Sequence, residues 1–306
     1  MAKAKFDVYQ DVTNQIIEAL EEGVQPCRCP WEGGAVGGMP LRYNSEPYRG
    51  INSVLLTLRG WQRGYTNPVW MTFRQAKELG GMVRKGEKSS LVVKYGTFEA
   101  KDDTGEDKAE PQPMRGYLKA YRVFNVDQID GLEDQFPTPE KSGPLNTRPI
   151  EQLSHIASDM IEGMGVSYRE GGNRAFYAPG LDEVCMPPLD QFPEAQDFYS
   201  TLFHELVHAT GLESRCDRTK EKQGSRFGNA TYAKEELVAE IGSAFLGSQL
   251  GFEPHHIEDS AAYIVSWLEA LRNDKRLIVR QAAAAQRAAD YLLSLTTAHA
   301  QQQEAA

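Results

Sequence analysis

The sequence predicts an α+β protein of two domains. The front domain, residues 1–132, mixes helices and strands; a linker follows at 133–148; and the rear domain, 149–306, is mainly helical with a small edge-strand sheet. Three observations predict this. Helix-period and strand-rich segments alternate through the front. The stretch EDQFPTPEKSGPLNTRP gathers prolines with little hydrophobic content, the composition of a connector. Beyond it the pattern is helical, apart from two short strand-like runs.

In chain order, FDVYQDVTNQIIEALEEG has apolar residues at 6, 9, 12, 16 and 20, a helical period closed by Gly23. A Gly- and Pro-rich loop, PWEGGAVGGMP, leads to YRGINSVLLTLRG, read as a second helix. TFRQAKELGG is a short helix with Thr72 as N-cap and a Gly-Gly stop. SSLVVKYGTFEA and MRGYLKAYRVFNV are rich in β-branched and aromatic residues and read as strands, joined by the polar insert KDDTGEDKAEPQP. The rear half opens with a helix over about 150–163 and continues with strands around RAFYAPG and EVCMPP. Helices follow to the end, with QAAAAQRAADYLLSL the clearest and HAQQQEAA a frayed tail.

At 306 residues the chain has room for two separate cores, and 41% hydrophobic with 25% charged residues is globular composition. No apolar run has bilayer-spanning length, and the polar start MAKAKFDVYQ is not a signal peptide. Four cysteines make no disulfide framework, which fits a reducing cytoplasm. Cys27 and Cys29 stand too close together for half of a zinc ribbon.

The net charge of −10 lies entirely in the rear half: residues 1–148 carry 20 basic and 20 acidic side chains, and residues 149–306 carry 13 and 23. Within the front half, Arg42–Lys94 holds ten basic residues against three acidic ones. Aromatics alternate with them: Trp31, Tyr43, Tyr48, Trp61, Tyr65, Trp70 and Phe73 lie among Arg42, Arg49, Arg63 and Arg74, and VRKGEKSS adds a basic turn. Single-stranded nucleic acid is bound by that combination, cations along phosphates and rings against bases. The same residues also suit an ordinary core beneath a solvated basic face, and composition leaves both readings open.

Thr201–Arg215 reads TLFHELVHATGLESR. His204 and His208, four apart on a helix, share a face and can ligate one ion, with Glu205 beside it to take a proton from a bound water. Leu202, Leu206 and Ala209 form an apolar stripe, flanked by Phe203 and Val207, and Gly211 ends the helix. A catalytic zinc has three protein ligands and an open position. The third is sought in YAKEELVAEIGSAFLG, where Glu236 and Glu240 share a face. The segment resembles the thermolysin-type helix, with Glu236 as ligand and Glu240 holding a histidine, though the reverse assignment fits the spacing too. Glu235, on a neighbouring face, reads as solvated. NRAFYAPGLDEVCMPP, just upstream, can supply an edge strand for substrate backbone. Tyr232, one turn before Glu236, is placed to donate to an oxyanion, or is a plain tyrosine. His255, His256 and His299 take no metal role.

PWEGG…GMPLRYNSEPYRGINSVLL, NPVWMTFRQAKELGGMVRKGEKSSLVVKYGTF and VFNVDQIDGL resemble the N-terminal domain of ArdC-type antirestriction proteins. FYSTLFHELVHATG with YAKEELVAEIGSAFLG resembles that family's metallopeptidase domain. The resemblance implies a single-stranded-DNA-binding domain joined to a zincin-like metallopeptidase with one zinc ion per chain. It also implies carriage on plasmids or related mobile elements, and protection of incoming DNA from host restriction. By motif position it implies metal roles for His204, His208 and Glu236, a catalytic role for Glu205, and DNA contacts at Tyr48, Arg49, Asn52, Trp70, Arg74, Lys85 and Lys88. The chain departs from the family pattern at PCRCPW, which keeps only Trp31 of a paired motif. Two functions remain in view: a DNA-tethered peptidase acting on a host protein, or a DNA-binding shield whose metal site is structural or vestigial.

Overall fold

Asp7 starts the first helix by accepting from the backbone N–H groups of Tyr9 and Gln10 at 3.1 and 3.2 Å, partnering two donors that a helix start leaves open. That helix, α1 (Val8–Glu21), buries Val12, Ile16 and Leu20, the stripe its period predicts. The structure is a computed structural model describing residues 6–22, 39–99, 114–137, 149–218, 230–252 and 260–304, with side chains left out at 98–99, 114–115, 230–231, 260–263 and 297–304. Cys27, Cys29, Trp31, the polar insert, residues 138–148 of the linker, His255 and His256 lie outside the described residues.

The front half continues through β1 (Leu41–Arg42), α2 (Ile51–Arg63), β2 (Val69–Met71), α3 (Phe73–Glu78), β3 (Met82–Val83), β4 (Ser90–Glu99), β5 (Met114–Asn125) and β6 (Ile129–Asp130). Its main sheet has the order β1-β2-β5-β4, with β1 parallel to β2 and the rest antiparallel. β3 and β6 form a separate two-stranded ribbon. The hairpin β4–β5 is the longest pairing, from Ser90↔Val123 to Glu99↔Met114. Thr72 caps α3 as expected, in a reciprocal box with Gln75. The NVDQ turn after β5 repeats the device. Asn125 and Gln128 exchange bonds, while Asp127 accepts from Thr66 Oγ1 and from the N–H groups of Thr66 and Asn67. β1, β2, β3 and β6, two or three residues each, are too short to carry a readable alternation.

The rear half runs α4 (Ile150–Met164), β7 (Ser167–Glu170), β8 (Phe176–Ala178), β9 (Glu183–Met186), α5 (Ala195–Ala209), α6 (Ala230–Leu250), α7 (Ser260–Asn273) and α8 (Leu277–Glu304). Its sheet has the order β7-β9-β8, which leaves β8 at an edge, antiparallel to β9. The expected frayed tail is helical: α8 reaches Glu304 and includes His299. Among the described residues no helix is long and apolar enough to cross a membrane.

The chain's length allows two separate cores, but the largest apolar cluster is shared. Val12 and Ile16 of α1 and Val54, Leu55 and Leu58 of α2 are buried in one network with Trp267, Leu271, Leu277 and Ala282 of the rear helices. α1 packs on α7, and α2 on α8. Polar bonds fix the seam. Thr13 Oγ1 donates to the Lys275 carbonyl at 2.8 Å, Gly50 N to Gln286 Oε1 at 2.9 Å, and Lys275 Nζ to Asp7 at 2.6 Å. Gly50 sits at φ +55°, where a side chain strains the backbone. Two smaller clusters belong to the front alone: Tyr48, Leu56, Trp70, Val92 and Val123, and Met71, Ala76, Val126, Ile129 and Leu132.

Candidate metal centre

α5 is held from both ends of its final turn. Arg215, 3% exposed in its side chain, donates to the Ala209 carbonyl at 2.7 Å and pairs with Asp182 at 2.7 Å. Arg218 donates to the Val207 carbonyl at 2.7 Å and to Thr210 Oγ1 at 2.8 Å. Two guanidinium groups thus satisfy carbonyls that a helix C-terminus leaves open, and their charge suits that end of the dipole. A Cβ at Gly211 would stand 3.0 Å from the His208 carbonyl and 3.5 Å from Glu235 Oε1, so glycine keeps this corner passable.

α6 lies against α5 at the histidines. A Cβ on Gly242 would come within 2.9 Å of Val207, so the missing side chain sets how closely the helices approach. The approach delivers three carboxylates. Glu236 faces both imidazoles, its Oε2 at 3.5 Å from His204 Nε2 and its Oε1 at 3.4 Å from His208 Nε2. Glu240 lies behind, 3.9 Å from His204 Nδ1, and Glu235 stands 3.5 Å from His208 Nδ1. The structure therefore brings together His204, His208 and Glu236, whose ligand atoms all fall within 4.8 Å of one another. Glu240 and Glu235 take the rear of each ring. Glu235 is buried, not solvated, and is paired with Arg218 at 3.0 Å. Glu205 is buried on the same helix as the histidines.

The set fits a divalent cation. Tetrahedral coordination at about 2.0–2.1 Å separates ligand atoms by about 3.4 Å, close to the two distances across Glu236. Both imidazoles present Nε2 forward, and Glu235 stands 3.5 Å behind Nδ1 of His208, an arrangement that fixes tautomer and raises ligand basicity, whereas Nδ1 of His204 is buried without a hydrogen bond among the described residues. Among the described residues this is the one such group.

Electrostatics follow from that crowding. Burial disfavours a charged imidazole, but the carboxylates outweigh it. His204 is raised above the ordinary histidine range by Glu236, with Glu240 and Glu205 adding, and His208 is pushed up to about 10 by Glu236 and Glu235. Burial would raise the carboxyl of Glu236, but the two imidazoles hold it well below the usual range. A raised histidine contributes stability that is complete below its unfolded pKa near 6.5 and is lost as pH climbs through the folded value. A cation needs both rings neutral, so it competes with those protons. Metal affinity is therefore expected to rise steeply from pH 6 to 8, by up to about two decades per pH unit, as two protons are displaced. Competition with a chelator of known affinity at several pH values measures this; a flat response would mean that the rings bind the metal without displacing protons.

The expected DNA contacts divide. Trp70 is 2% exposed and packs edge-on against Tyr65 at 5.6 Å, so its ring is core and has no face to offer a base. Tyr48 is buried in the same cluster beneath Arg42, whose guanidinium carbon is 5.3 Å from the ring centroid. Asn52 is occupied: its amide donates to the Val93 carbonyl at 2.8 Å and accepts from the Val93 N–H at 2.7 Å, docking α2 on β4. These three residues hold the fold. Arg49 pairs with Asp290 of α8, and Arg74 with Glu78 on an exposed helix face. Lys85 and Lys88 are exposed on the turn before β4, where Arg84 is tied to Glu87 and Asp130. Trp70→Ala is expected to destabilise the protein by about 3–5 kcal/mol, read as a lower midpoint in denaturant. Should stability hold while DNA affinity drops, the core assignment is wrong.

Arg215 and Arg218 were not singled out by sequence, and Glu235 was read as solvated. One signal was present: α6 reads LVAEIGSAFL, apolar nearly all round, so its acids point into protein rather than water.

A largely buried His-His-Glu set on two packed helices, beside a small sheet with an antiparallel strand at its edge, defines a metallopeptidase-like protein. Residues 155–285 match the family described as zincin-like metallopeptidase, and residues 6–124 match the N-terminal domain of anti-restriction factor ArdC. The metal-free crystal structure of the antirestriction ArdC protein from plasmid R388 is 45% identical, covers 95% of this chain and 98% of that one, and superposes with a TM-score of 0.78. Its Mn(II)-bound form gives 0.75. Protein y4eC of Sinorhizobium fredii is 37% identical over 304 residues, 98% of this chain and 94% of its own. A DNA primase TraC of Escherichia coli is 35% identical over 319 residues, but this chain spans only 28% of its length. The chain belongs to the ArdC family of antirestriction proteins.

Proposed function

We propose that the chain binds single-stranded DNA through residues 1–132 and hydrolyses a peptide bond at the His204–His208–Glu236 centre in residues 149–306, protecting incoming plasmid or mobile-element DNA from host restriction. The observation that carries the enzymatic part is Glu205. Metal binding does not need it, yet a carboxylate is kept buried beside the ligands. Zinc is the proposed ion, one per chain, on the chemistry of a two-imidazole, one-carboxylate set.

His204 and His208 would hold a cation through Nε2 and Glu236 through a carboxylate oxygen, with Glu235 orienting His208 from Nδ1 and Glu240 adding its charge 3.9 Å behind His204. A cation bound there supplies Lewis acidity to a scissile carbonyl and makes a nucleophile available from water near neutral pH. The Glu205 carboxylate takes the proton from the attacking water and passes it to the leaving amine nitrogen. The outer edge of β8, a strand that packs on α5 and pairs on one side only among the described residues, gives the substrate backbone a partner to pair with. The front half supplies location, since a host protein cleaved near captured DNA is one that has come to that DNA.

The test is transfer of a plasmid carrying unprotected restriction sites into a restricting host. The wild-type chain is expected to raise transfer frequency, and a Glu205→Gln chain at equal abundance to lose most of that protection. Full protection by the variant would leave DNA shielding as the function and remove proteolysis from it. In vitro, affinity for oligo-dT should fall with salt at a log–log slope of about −0.7 per phosphate contacted.

A further inference from the structure

The strand-binding reading needs exposed rings, and the structure has put Trp70 and Tyr48 inside. The hairpin β4–β5 offers others. In its register Val92 is opposite Tyr121, Lys94 opposite Lys119, and Gly96 opposite Tyr117, so these side chains lie on one face of the ribbon. Lys94 and Lys119 are exposed, and Tyr117 and Tyr121 are 44% and 38% exposed.

Two features set this face apart from an ordinary solvated strand. Tyr117 is laid across Gly96: a Cβ there would fall 2.6 Å from ring carbon Cζ, so glycine gives the ring room to lie over the neighbouring strand. Lys94 and Lys119 are directly opposed like charges, a destabilising cross-strand pair, and neither has a carboxylate partner among the described residues. Lys119 Nζ sits 5.3 Å from the centroid of Tyr121, so ring and cation are already side by side. Outward from the buried Val92, exposed aromatic rings beside ammonium groups suit stacked bases and a phosphate chain.

We propose that this face of the β4–β5 hairpin is the single-stranded-DNA platform, with Tyr117 and Tyr121 stacking on bases and Lys94 and Lys119 on phosphates. The proposal rests on the strand-binding reading above and replaces Tyr48, Asn52 and Trp70 as its aromatic and polar contacts.

The experiment is fluorescence-anisotropy titration of the full chain with labelled oligo-dT across a salt series. Three variants are compared: Tyr117→Ala, Tyr121→Ala, and Lys94→Gln with Lys119→Gln. Each tyrosine variant is expected to weaken binding about tenfold, within the range for loss of one stacked base. Tyr117→Phe and Tyr121→Phe should restore it, since the ring and not the hydroxyl is used. The Lys94/Lys119 variant should flatten the salt slope by about 1.4. The same variant should unfold at higher denaturant, because removing opposed like charges relieves the ribbon; a merely structural pair would not trade stability against affinity in that way. If wild type binds and the hairpin variants bind equally well, the platform is elsewhere and this inference is overturned while strand binding stands. If wild type itself shows no binding, the strand-binding reading fails first.

Discussion

Glu205→Gln is expected to lower any peptide hydrolysis by about 100- to 10,000-fold, the usual contribution of a positioned general base and acid, with metal content unchanged. The amide keeps the size of the carboxylate and its buried place on α5, so packing around Leu206 and Val207 is preserved. What it loses is the capacity to take a proton. Metal per chain by mass spectrometry, DNA affinity and thermal midpoint should match wild type, which confines the loss to the proton step. A variant that turns over normally would sink the role of Glu205, and with it the distinction between an active centre and a structural one.

The second large effect concerns the ligands. Glu236 lies 3.5 and 3.4 Å from the two rings, whereas Glu240 stands 3.9 Å behind His204 alone. Glu240→Gln removes a supporting partner and is expected to cost about 10- to 100-fold in metal affinity. Glu236→Gln removes a ligand and should cost more than that, leaving purified protein short of one ion per chain. Glu236→Gln also removes the charge that raises both imidazoles, so the steep pH dependence of metal affinity should flatten in that variant. If Glu240→Gln strips the ion and Glu236→Gln retains it, the two acids exchange roles.

Much of this centre was legible because it is local. Two histidines one helical turn apart lie on the same face whatever surrounds them, and Glu205 follows by adjacency. The choice between Glu236 and Glu240 was not local. Both sit on one face of α6, and which acid reaches Nε2 depends on how α6 seats against α5, a close approach made at Gly242 and Val207. Glu235 was misread for a related reason: its neighbours suggested an outer face, but Arg218 closes over it from the loop after α5. In the front half the sequence showed aromatics among cations without showing which side of the sheet each ring takes. Trp70 lies in a three-residue strand, too short for an alternation to declare its direction. The hairpin tyrosines, in strands long enough to read, were taken only as strand formers.

The seam between α1 and α7 and between α2 and α8 has a consequence for reach. Because the halves share a hydrophobic network, they are expected to melt together, and neither should be cut away without laying bare the other's apolar face. Under the proposed function, a grip on DNA and a cutting centre joined so stiffly would behave as a fixed caliper rather than a hook on a tether. Such a molecule would act only on what comes within its own span of the strand it holds, its choice of victim set by proximity as much as by the sequence of the peptide.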